Sequence, residues 1–425
     1  MLIYDIIHGY INISPLAKQI IDTIYFQRLR NIHQTGCLYL VFPSAVHTRF
    51  EHSIGTYHLA KEMITNIKKN QPELKITDRI VELVSIAGLC HDLGHLAYSH
   101  LFDDLILPKL ANYNKLNNFK HHEHRSVSLL KIIILKYNIN INIDEYQFIA
   151  DLILENTCNY NKWHEYFKIG EWIFSIISNK KNGIDVDKFD YLVRDNTFIG
   201  LKISFDFSRL ILQSRVIDNE LCYPQQAVDD IIHMFFLRYR LHRQIYNHKT
   251  VKAIELIIRK ILLILDKKHN YVKLLLNSEN NPEFYSIITD NIIYDYTNKA
   301  IKKLLNNLLE RKLPILFHEI VLSSKNKNIK IMEEKIEKFT EIYSEMSEVI
   351  SYKMNITNNK NKLSFDNIFL YSTQNKNVKF KLDLTTMYPI LCNNYYEKIY
   401  KFYMIRKEKI NLFNILYNNK LNNNK

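Results

Sequence analysis

Residues 87–100 read AGLCHDLGHLAYSH and decide the fold. This run closes an apolar helix and carries four residues with ligand chemistry: His91, Asp92, His95 and His100. His91 and His95 are four residues apart, so they share a face if the helix continues. Gly94 lies between them and weakens a helix, which a purely structural role does not require. One histidine on an apolar helix is usually structural, but an adjacent His-Asp pair with two more histidines indicates a chemical site.

Three further segments can supply partners for these residues. RFEH ends in His52, and HHEH at 121–124 contains His122. The run at 182–195, NGIDVDKFDYLVRD, contains four acids and two cations: Asp185, Asp187, Asp190, Asp195, Lys188 and Arg194. Its apolar stripe would bury one side of a helix and place the acids along the border. Nitrogen and oxygen ligands of this kind suit Zn, Fe, Mn, Ni or, with more carboxylate, Mg.

The composition favours a mainly helical protein. The chain has 425 residues, of which 47% are hydrophobic, and only eight glycines and eight prolines. A chain this long can bury a large core without disulfides, and the scarcity of turn formers argues against an all-β fold. Apolar periodicity predicts helices from Pro15 onward and over 52–68, 77–90, 125–137, 145–154, 171–177, 228–246 and 251–265.

The remaining segments predict a smaller second unit. A hairpin is expected at 214–223 with Asp218-Asn219 at its turn. Two strands are expected at 367–372 and 378–384, followed by a helix at 388–405 and a frayed end from Asn418. We therefore predict a helical core over residues 1–310 and a small α+β lobe over 311–425.

Charge and cysteine content bear on partners and compartment. The chain has 57 Lys and Arg against 44 Asp and Glu, a net charge of +13. Such a surface attracts polyanions, including single-stranded nucleic acid, although codon bias toward Lys and Asn would also produce it. Five cysteines without a CxxC pair favour a reducing compartment. No signal peptide or apolar run near 18 residues is present, so we expect an intracellular protein, cytoplasmic or nuclear, without a membrane partner.

The strings around these residues resemble those of a known family. They are DIIHGYI, IIDTIYFQRLR, VFPSAVHTRFEHSIGT, IAGLCHDLGHLAYSHLFD, SNKKNGIDVDKFDYLVRD, LHRQIYNHK and, at 288–292, ITDNI. The chain resembles the HD-domain deoxynucleoside triphosphate triphosphohydrolases, and most closely the members that also carry a SAM domain. The resemblance is dense to about residue 265. It starts where the catalytic core of that family starts, so we expect the SAM domain to be missing.

The resemblance implies an all-helical HD core and the release of inorganic triphosphate from a dNTP. It implies that a divalent metal (Fe, Mn, Zn or Mg) is held by His52, His91, Asp92 and Asp187. His100 would be the general acid, supported by Asp103 and His122, and His95 would face the α-phosphate. A metal polarises a phosphoryl oxygen, and an acid protonates the leaving alkoxide.

The resemblance also implies a substrate pocket. Phosphate contacts would come from Arg49, Lys188, Tyr191, Arg238 and His242. Sugar contacts would come from Gln34, Asp195 and Tyr246. Thr35 stands where the family has Leu, which puts strict selection of deoxyribose in question. Without the resemblance, Tyr246 is equally well explained as one aromatic in a helical stripe.

Regulation in the resembled enzymes involves guanine nucleotides and a homo-oligomer, a dimer or tetramer. The matching guanine-reading residues are Asp22, Gln27 and Arg30, which are also explained as a polar helix face with an i,i+3 pair. A second activator pocket matches at Val41, Phe42, Asp206, Arg209, His248 and Lys249. Expected cations are replaced by Met1 at the first site and by Pro224, Gln226, Asp230, Gln244 and Leu384 at the second.

Two other functions are compatible with the sequence. An HD phosphohydrolase of another kind would act on nucleoside monophosphates or cyclic dinucleotides. A nucleotide- or RNA-binding protein would use the basic surface without turnover. The complete ligand set and the cations expected around a polyphosphate favour the triphosphohydrolase, for which both dGTP catabolism and pool sanitation are conceivable roles.

Overall fold

The computed structural model describes residues 1–323, 329–354, 364–383 and 397–405. The helices are α1 (Pro15–Ile21), α2 (Ile24–Gln27), α3 (Arg49–Asn70), α4 (Asp78–Cys90), α5 (His122–Lys136), α6 (Ile143–Leu154), α7 (Tyr160–Phe167), α8 (Val186–Ile199), α9 (Ser208–Leu212), α10 (Val228–Arg240), α11 (Lys249–His269), α12 (Tyr271–Leu276), α13 (Phe284–Ile287), α14 (Lys299–Leu309) and α15 (Ile329–Ile342). The strands are β1 (Leu2–Asp5), β2 (Gly9–Asn12), β3 (Arg215–Ile217), β4 (Glu220–Pro224), β5 (Ile315–Ser323), β6 (Ser347–Met354), β7 (Phe369–Tyr371), β8 (Lys379–Lys381) and β9 (Glu397–Met404). The prediction of a mainly helical fold is confirmed.

Short 3₁₀ and π segments connect these helices. The 3₁₀ segments include Arg28–Asn31, Gly36–Leu40, Glu171–Ser175 and Asp290–Ile293, so the segment predicted as a helix at 171–177 is 3₁₀ over most of its length. The π-helical turns are Phe102–Ile106 and Leu241–Tyr246, and such turns often lie at functional sites. Among the described residues, no helix combines the length and the apolar character needed to cross a membrane.

Side-chain caps set several helix boundaries. Ser14 accepts a hydrogen bond from the Ala17 amide at 3.1 Å, and Pro15 occupies the first helical position, as predicted. The helical pattern from Pro15 breaks near Thr23, whose hydroxyl caps α2. Thr77 caps α4, and a capping box between Thr48 and Glu51 starts α3.

Helix α3 lies at the centre of the core and packs against α4 and α8. Two glycines permit this close approach. A Cβ on Gly88 would lie 2.9 Å from the Thr56 carbonyl oxygen, and a Cβ on Gly55 would lie 1.9 Å from Asp190 Oδ1. The α3–α8 spacing therefore requires glycine at position 55, and it brings the metal-ligand candidates of the two helices together.

Three small sheets accompany the helices. β1 and β2 form an antiparallel hairpin, and β5, β9 and β6 form an antiparallel sheet in that order. The third sheet has the order β3-β4-β7-β8, with β4 and β7 parallel. The predicted hairpin is confirmed: Asp218 and Asn219 connect β3 to β4 with φ of 45° and 60°, the backbone of a two-residue turn.

The strands predicted at 367–372 and 378–384 correspond to β7 and β8. Ile368 and Leu370 are buried in the same core as α3 and α4, so this segment packs on the helical body. Strand β9 contacts a separate apolar cluster that includes Phe339 on α15. The division at residue 310 stays a prediction. Strand β7, which follows residue 310, pairs with β4, which precedes it, whereas β5, β9 and β6 pair with one another.

The helix predicted over 388–405 is wrong for its last part. Residues 397–404 form β9, the central strand between β5 and β6. Both faces of this strand are covered, so its inner residues are buried without the alternation of a surface strand. A short apolar run of this kind cannot be assigned by periodicity alone. Residues 384–396 and the predicted frayed end lie outside the described residues.

Replacing Gly55 by Ala tests the close contact of α3 with α8. Helix propensity alone would make alanine about 1 kcal/mol more favourable. We expect the opposite, a loss of about 1–3 kcal/mol in the free energy of unfolding, because the methyl group overlaps the Asp190 carboxylate. Urea unfolding of Gly55→Ala, with the exposed Glu62→Ala on α3 as the control, measures it. A stabilised Gly55→Ala protein would contradict the packing described here.

Candidate metal centre and active site

Four ligand-type side chains from three helices converge at one point. α3 supplies His52, the end of α4 supplies His91 and Asp92, and the first turn of α8 supplies Asp187. His52 Nε2 lies 3.1 Å from Asp187 Oδ1, 3.3 Å from Asp92 Oδ2 and 3.3 Å from His91 Nε2. His91 Nε2 lies 3.4 Å from Asp92 Oδ2 and 3.5 Å from Asp187 Oδ1. The structure thus brings all four predicted metal ligands together.

The other ring nitrogen of each histidine is oriented by a hydrogen bond. His91 Nδ1 lies 2.8 Å from the Gly88 carbonyl oxygen, which can only accept, so Nδ1 carries the proton. His52 Nδ1 lies 2.7 Å from Asp190 Oδ2. Both Nε2 lone pairs therefore point at the shared centre beside two carboxylates. This is the arrangement of metal-bound histidines with outer partners, and the donor set fits a divalent cation.

Both carboxylates at this centre are ionised. Burial would raise the pKa of Asp187, but its close contacts with His52 and His91 hold it well below the usual value. Burial would likewise raise the pKa of Asp92, but the Arg49 guanidinium and His91 hold it well below the usual value. Two negative charges and two imidazole lone pairs at one point favour a bound cation.

A buried ion-pair network lies behind His52. Asp190 accepts both Nε and Nη2 of Arg194 at 2.9 Å and lies 2.7 Å from His8 Nε2. Arg194 also donates to Asp5 Oδ2 at 2.9 Å. Asp5 and His8 come from the β1–β2 hairpin, and sequence reasoning assigned them no role. Their signal was the string DIIHGYI, whose two polar residues interrupt an apolar run.

A second histidine cluster shares the Asp92 carboxylate. His95 Nε2 and His122 Nε2 lie 3.3 and 3.6 Å from Asp92 Oδ1, the oxygen that does not face His52. The His95 and His122 rings stack at 3.9 Å, and the His100 ring lies 4.9 Å from His95. His122 Nδ1 lies 3.4 Å from Asp103 Oδ2. The predicted acid group is therefore assembled beside the metal-ligand cluster.

The His100 side chain is exposed to solvent although charged groups surround it, and we call this open region the cleft. Burial among these groups, then the charges of Arg49 and His122, lower its pKa to about 4. Burial and then Arg49 also lower the pKa of His95 well below the ordinary value. Both imidazoles are neutral at pH 7 in the free protein. A bound anion would offset the cations and raise the pKa of His100.

The predicted phosphate-contacting residues surround the same cleft. Arg49 donates to Asp92 and, through Nε, to Ser99 Oγ at 3.0 Å. Lys188 donates to Asp185 Oδ2 at 2.7 Å. Burial, followed by the charges of Arg238, His100, Lys252 and Lys188, holds the pKa of His242 well below the ordinary value. Burial raises the pKa of Tyr191 on α8, and the charges of Arg238 and Lys188 oppose this rise. These two predicted cations therefore both lie near the Tyr191 hydroxyl.

The predicted sugar-contacting residues form a separate group. Asp195 lies between two partners, His47 Nε2 at 2.6 Å and the Tyr246 hydroxyl at 2.5 Å. The Tyr246 ring lies 5.0 Å from that of His242 in the π-helical turn. Gln34 Oε1 is buried without a hydrogen-bond partner among the described residues. His47 was not predicted, although it lies within VFPSAVHTRFEHSIGT.

The residues matched to the guanine-reading site make contacts within the chain. Arg30 donates to Gln27 Oε1 at 2.9 Å and lies over the Phe50 ring, and Asp22 pairs with Lys18. The contact between Gln27 and Arg30 is the i,i+3 pair expected if these residues only form a polar helix face.

The second group also makes contacts within the chain. The His248 ring lies edge-on to the Phe42 ring at 5.7 Å. Val41 precedes Phe42 in the sequence, and Lys249, which follows His248, is the first residue of α11. Arg209 pairs with Asp230 at 3.3 Å, and Asp206 caps the Ser208 amide at 2.8 Å. Leu384 lies outside the described residues.

Comparison with known proteins places this geometry in a family. The HD domain model matches residues 49–193, and the two groups of described residues that could hold a metal lie within that segment. HD domains depend on divalent metals, so the expectation of a divalent metal is confirmed without its identity.

Three curated relatives extend the similarity beyond the domain. An HD domain-containing protein of Acanthamoeba polyphaga mimivirus is 38% identical over 69% of this chain and 64% of its own length. The deoxynucleoside triphosphate triphosphohydrolase SAMHD1 homolog of Dictyostelium discoideum is 36% identical over 76% of this chain and 61% of its own length. Human SAMHD1 is 37% identical over 71% of this chain and 51% of its own length. The chain thus spans less than two thirds of the length of each of these relatives. The resemblance is confirmed: the chain contains an HD domain and is similar to proteins named as deoxynucleoside triphosphate triphosphohydrolases.

Proposed function

We propose that this protein is a metal-dependent hydrolase that splits a dNTP into a deoxynucleoside and inorganic triphosphate. The observation that carries the proposal is the Asp92 carboxylate, whose Oδ2 faces the metal-ligand cluster and whose Oδ1 faces the acid cluster. Hydrolysis of a phosphate ester requires a group that polarises the phosphoryl oxygen and a donor that protonates the leaving oxygen. Both must lie within reach of one bound substrate. Two SAMHD1-type relatives named as dNTP triphosphohydrolases support the choice of substrate.

In this mechanism His52, His91, Asp92 and Asp187 would hold the ion. When bound, such an ion polarises a phosphoryl oxygen and lowers the pKa of a coordinated water. Asp190 orients His52 through the 2.7 Å contact to Nδ1, so that Nε2 stays a ligand. Water adds to the α-phosphorus, and the bond from phosphorus to the sugar oxygen breaks.

His100 is the proposed donor of the proton to the leaving sugar oxygen. In the free protein it is neutral, with its pKa lowered to about 4 by burial and by Arg49 and His122. A triphosphate brings about four negative charges, which favour the imidazolium and so prepare the acid only when substrate is bound. His122 and Asp103 orient the cluster, and His95 faces the α-phosphate.

The remaining pocket residues hold the substrate. Arg49, Lys188, Tyr191, Arg238 and His242 contact the phosphates, and Arg49 offers a planar donor suited to them. Asp195 and Gln34 contact the 3′-hydroxyl, and Tyr246 packs against the sugar edge. The Gln34 Oε1 atom, buried without a partner in the described chain, is an acceptor that a sugar hydroxyl would satisfy.

We also propose that regulation differs between the two nucleotide sites of a homo-oligomer. Asp22, Gln27 and Arg30 stay available for guanine, although Met1 removes one expected cation. At the second site Asp230 stands in place of a cation and pairs with Arg209, so an activator triphosphate would lose one contact and compete for another.

The cysteines of the described residues support a reducing intracellular compartment, because they form no disulfide: Cys37, Cys90, Cys158 and Cys222.

Asp92→Asn tests the metal centre. The amide keeps the shape but removes the charge between the two clusters, so we expect a folded protein that has lost bound metal and triphosphate release from dGTP. Elemental analysis, circular dichroism and product chromatography with added Mn or Mg measure this. The exposed Asp78→Asn is the control. A metal-free Asp92→Asn protein with full turnover would refute the mechanism. Release of phosphate by the wild type would favour another HD phosphohydrolase. Binding of a nucleotide or RNA without formation of products would favour a non-catalytic role.

His100→Ala tests the acid. We expect retained metal and dNTP binding with turnover reduced about 10²- to 10⁴-fold. A nitrophenyl triphosphate ester has a good leaving group that needs no proton, so its hydrolysis should fall far less. Steady-state kinetics on both substrates, with the exposed His121→Ala as the control, make the comparison. An equal loss on both substrates would show that His100 only positions the substrate.

Light scattering with GTP and dATP tests regulation. Each lost charge-assisted phosphate contact removes about 1.5–3 kcal/mol, and each 1.4 kcal/mol is about tenfold in affinity. We therefore expect an oligomer or constitutive activity with little dependence on dATP. A monomer that becomes a tetramer only when both nucleotides are present at micromolar concentration would show that the second pocket is intact.

A further inference from the structure

The ITDNI motif at 288–292 has no part in the site described so far, yet its aspartate reaches the active-site loop. Asp290 opens the 3₁₀ segment Asp290–Ile293 and is 4% exposed. Its Oδ1 accepts the Tyr98 amide at 2.5 Å, and its Oδ2 accepts the His33 amide at 2.9 Å. The His33 ring Nδ1 lies 2.7 Å from the same Oδ2, and the Tyr98 hydroxyl donates to the Asp290 carbonyl at 3.1 Å.

The turn held by Asp290 is an unfavourable one. Tyr98 and Ser99 have φ of 61° and 55°, so two consecutive non-glycine residues adopt the left-handed conformation. Such residues persist only where surrounding contacts impose the conformation. The next residue is His100, whose position in the cleft is set by the direction in which this turn ends.

Other contacts also fix the same turn. Ser99 Oγ donates to the His33 carbonyl at 2.8 Å and accepts from Arg49 Nε at 3.0 Å. Gly36 approaches so closely that a Cβ there would lie 3.0 Å from the Tyr98 carbonyl oxygen. Asp290 therefore joins the His33 segment to the turn through one carboxylate, with a separate oxygen for each.

We propose that Asp290 is a positioning residue for the proton donor: it holds the Tyr98–Ser99 turn in its left-handed form and so places His100 at the leaving oxygen. This inference rests on the proposed function, because it gives His100 the role of the acid. It assigns to Asp290 no contact with substrate or metal. Removing it should therefore slow the chemical step and leave binding intact.

Asp290→Asn is the informative change. Asparagine keeps the shape, but its NH₂ group cannot accept, so one of the two backbone amides loses its partner. Misplacement of a reacting group by about 1 Å can cost about 10²-fold in rate. We expect kcat for dGTP to fall about 10- to 100-fold, with KM changed less than about threefold and metal content unchanged. Hydrogen exchange of the peptide at 96–103 should be faster.

Asp295→Asn is the matched control, since it lies in the same part of the chain. Asp295 Oδ1 accepts the Thr297 amide at 3.1 Å, its other oxygen lies 3.7 Å from Lys268, and it does not touch the turn. Its kcat and the exchange at 96–103 should equal those of the wild type.

A double-mutant cycle separates positioning from general destabilisation. If Asp290 acts through His100, the Asp290→Asn/His100→Ala protein should be no slower than His100→Ala alone. Independent, multiplicative losses in the cycle, or an Asp290→Asn protein with wild-type kcat, would overturn the inference while leaving the proposed function standing. A wild-type protein that releases no triphosphate would instead overturn the proposed function and, with it, the role of His100. Unchanged exchange at 96–103 in Asp290→Asn would then show that Asp290 does not hold the turn.

Discussion

The buried carboxylate of Asp92 organises the centre of this protein. Taking a charge out of water is expensive unless it is paired, and Asp92 is surrounded on both oxygens. Arg49, His52 and His91 face Oδ2, while His95 and His122 face Oδ1. Its location at the end of α4 brings two separate histidine clusters against one group. Proximity of the two clusters therefore follows from the need to compensate a single buried charge.

The same requirement reaches outward through Asp190. This fully buried acid is neutralised by Arg194 and contacts both His8 and His52. Because Arg194 also pairs with Asp5, the N-terminal hairpin is tied to the back of the metal centre. Breaking such a network by removing one member leaves an unpaired buried charge, which typically costs about 3–5 kcal/mol. The first ten residues thus belong to the structural unit that orients His52.

The sequence predicts those parts of the site in which chemistry and local pattern coincide. His91, Asp92 and His52 lie in or next to helices with clear apolar periodicity, and Asp187 starts another, so their convergence could be expected from the motif. The hairpin at Asp218-Asn219 was predictable because a two-residue turn has its own residue chemistry.

What stayed hidden depends on distant contacts. Tyr98 and Ser99 carry no sequence mark of a left-handed turn, because the contacts that impose it come from His33, Arg49 and Asp290. The strand at 397–404 was missed for a similar reason. Both of its faces are covered by other elements, so its apolar residues do not alternate. In both cases the conformation is set by tertiary contacts and not by the local sequence.

The electrostatics of the cleft link binding to chemistry. Without a ligand, the charges of Arg49, Arg238 and Lys188 add to burial in holding the pKa values of His100 and His242 below their ordinary value. While His100 and His242 stay neutral, these two side chains offer no acid to a substrate that lacks charge. A polyanion offsets the same cations, so the proton is taken up where the negative charge is placed. In this arrangement the substrate's own phosphates would prepare the acid, and a nucleoside or monophosphate, with less charge, would prepare it less well. Under the proposed function, a preference for a triphosphate would depend on the charge balance of the cleft as well as on its contacts.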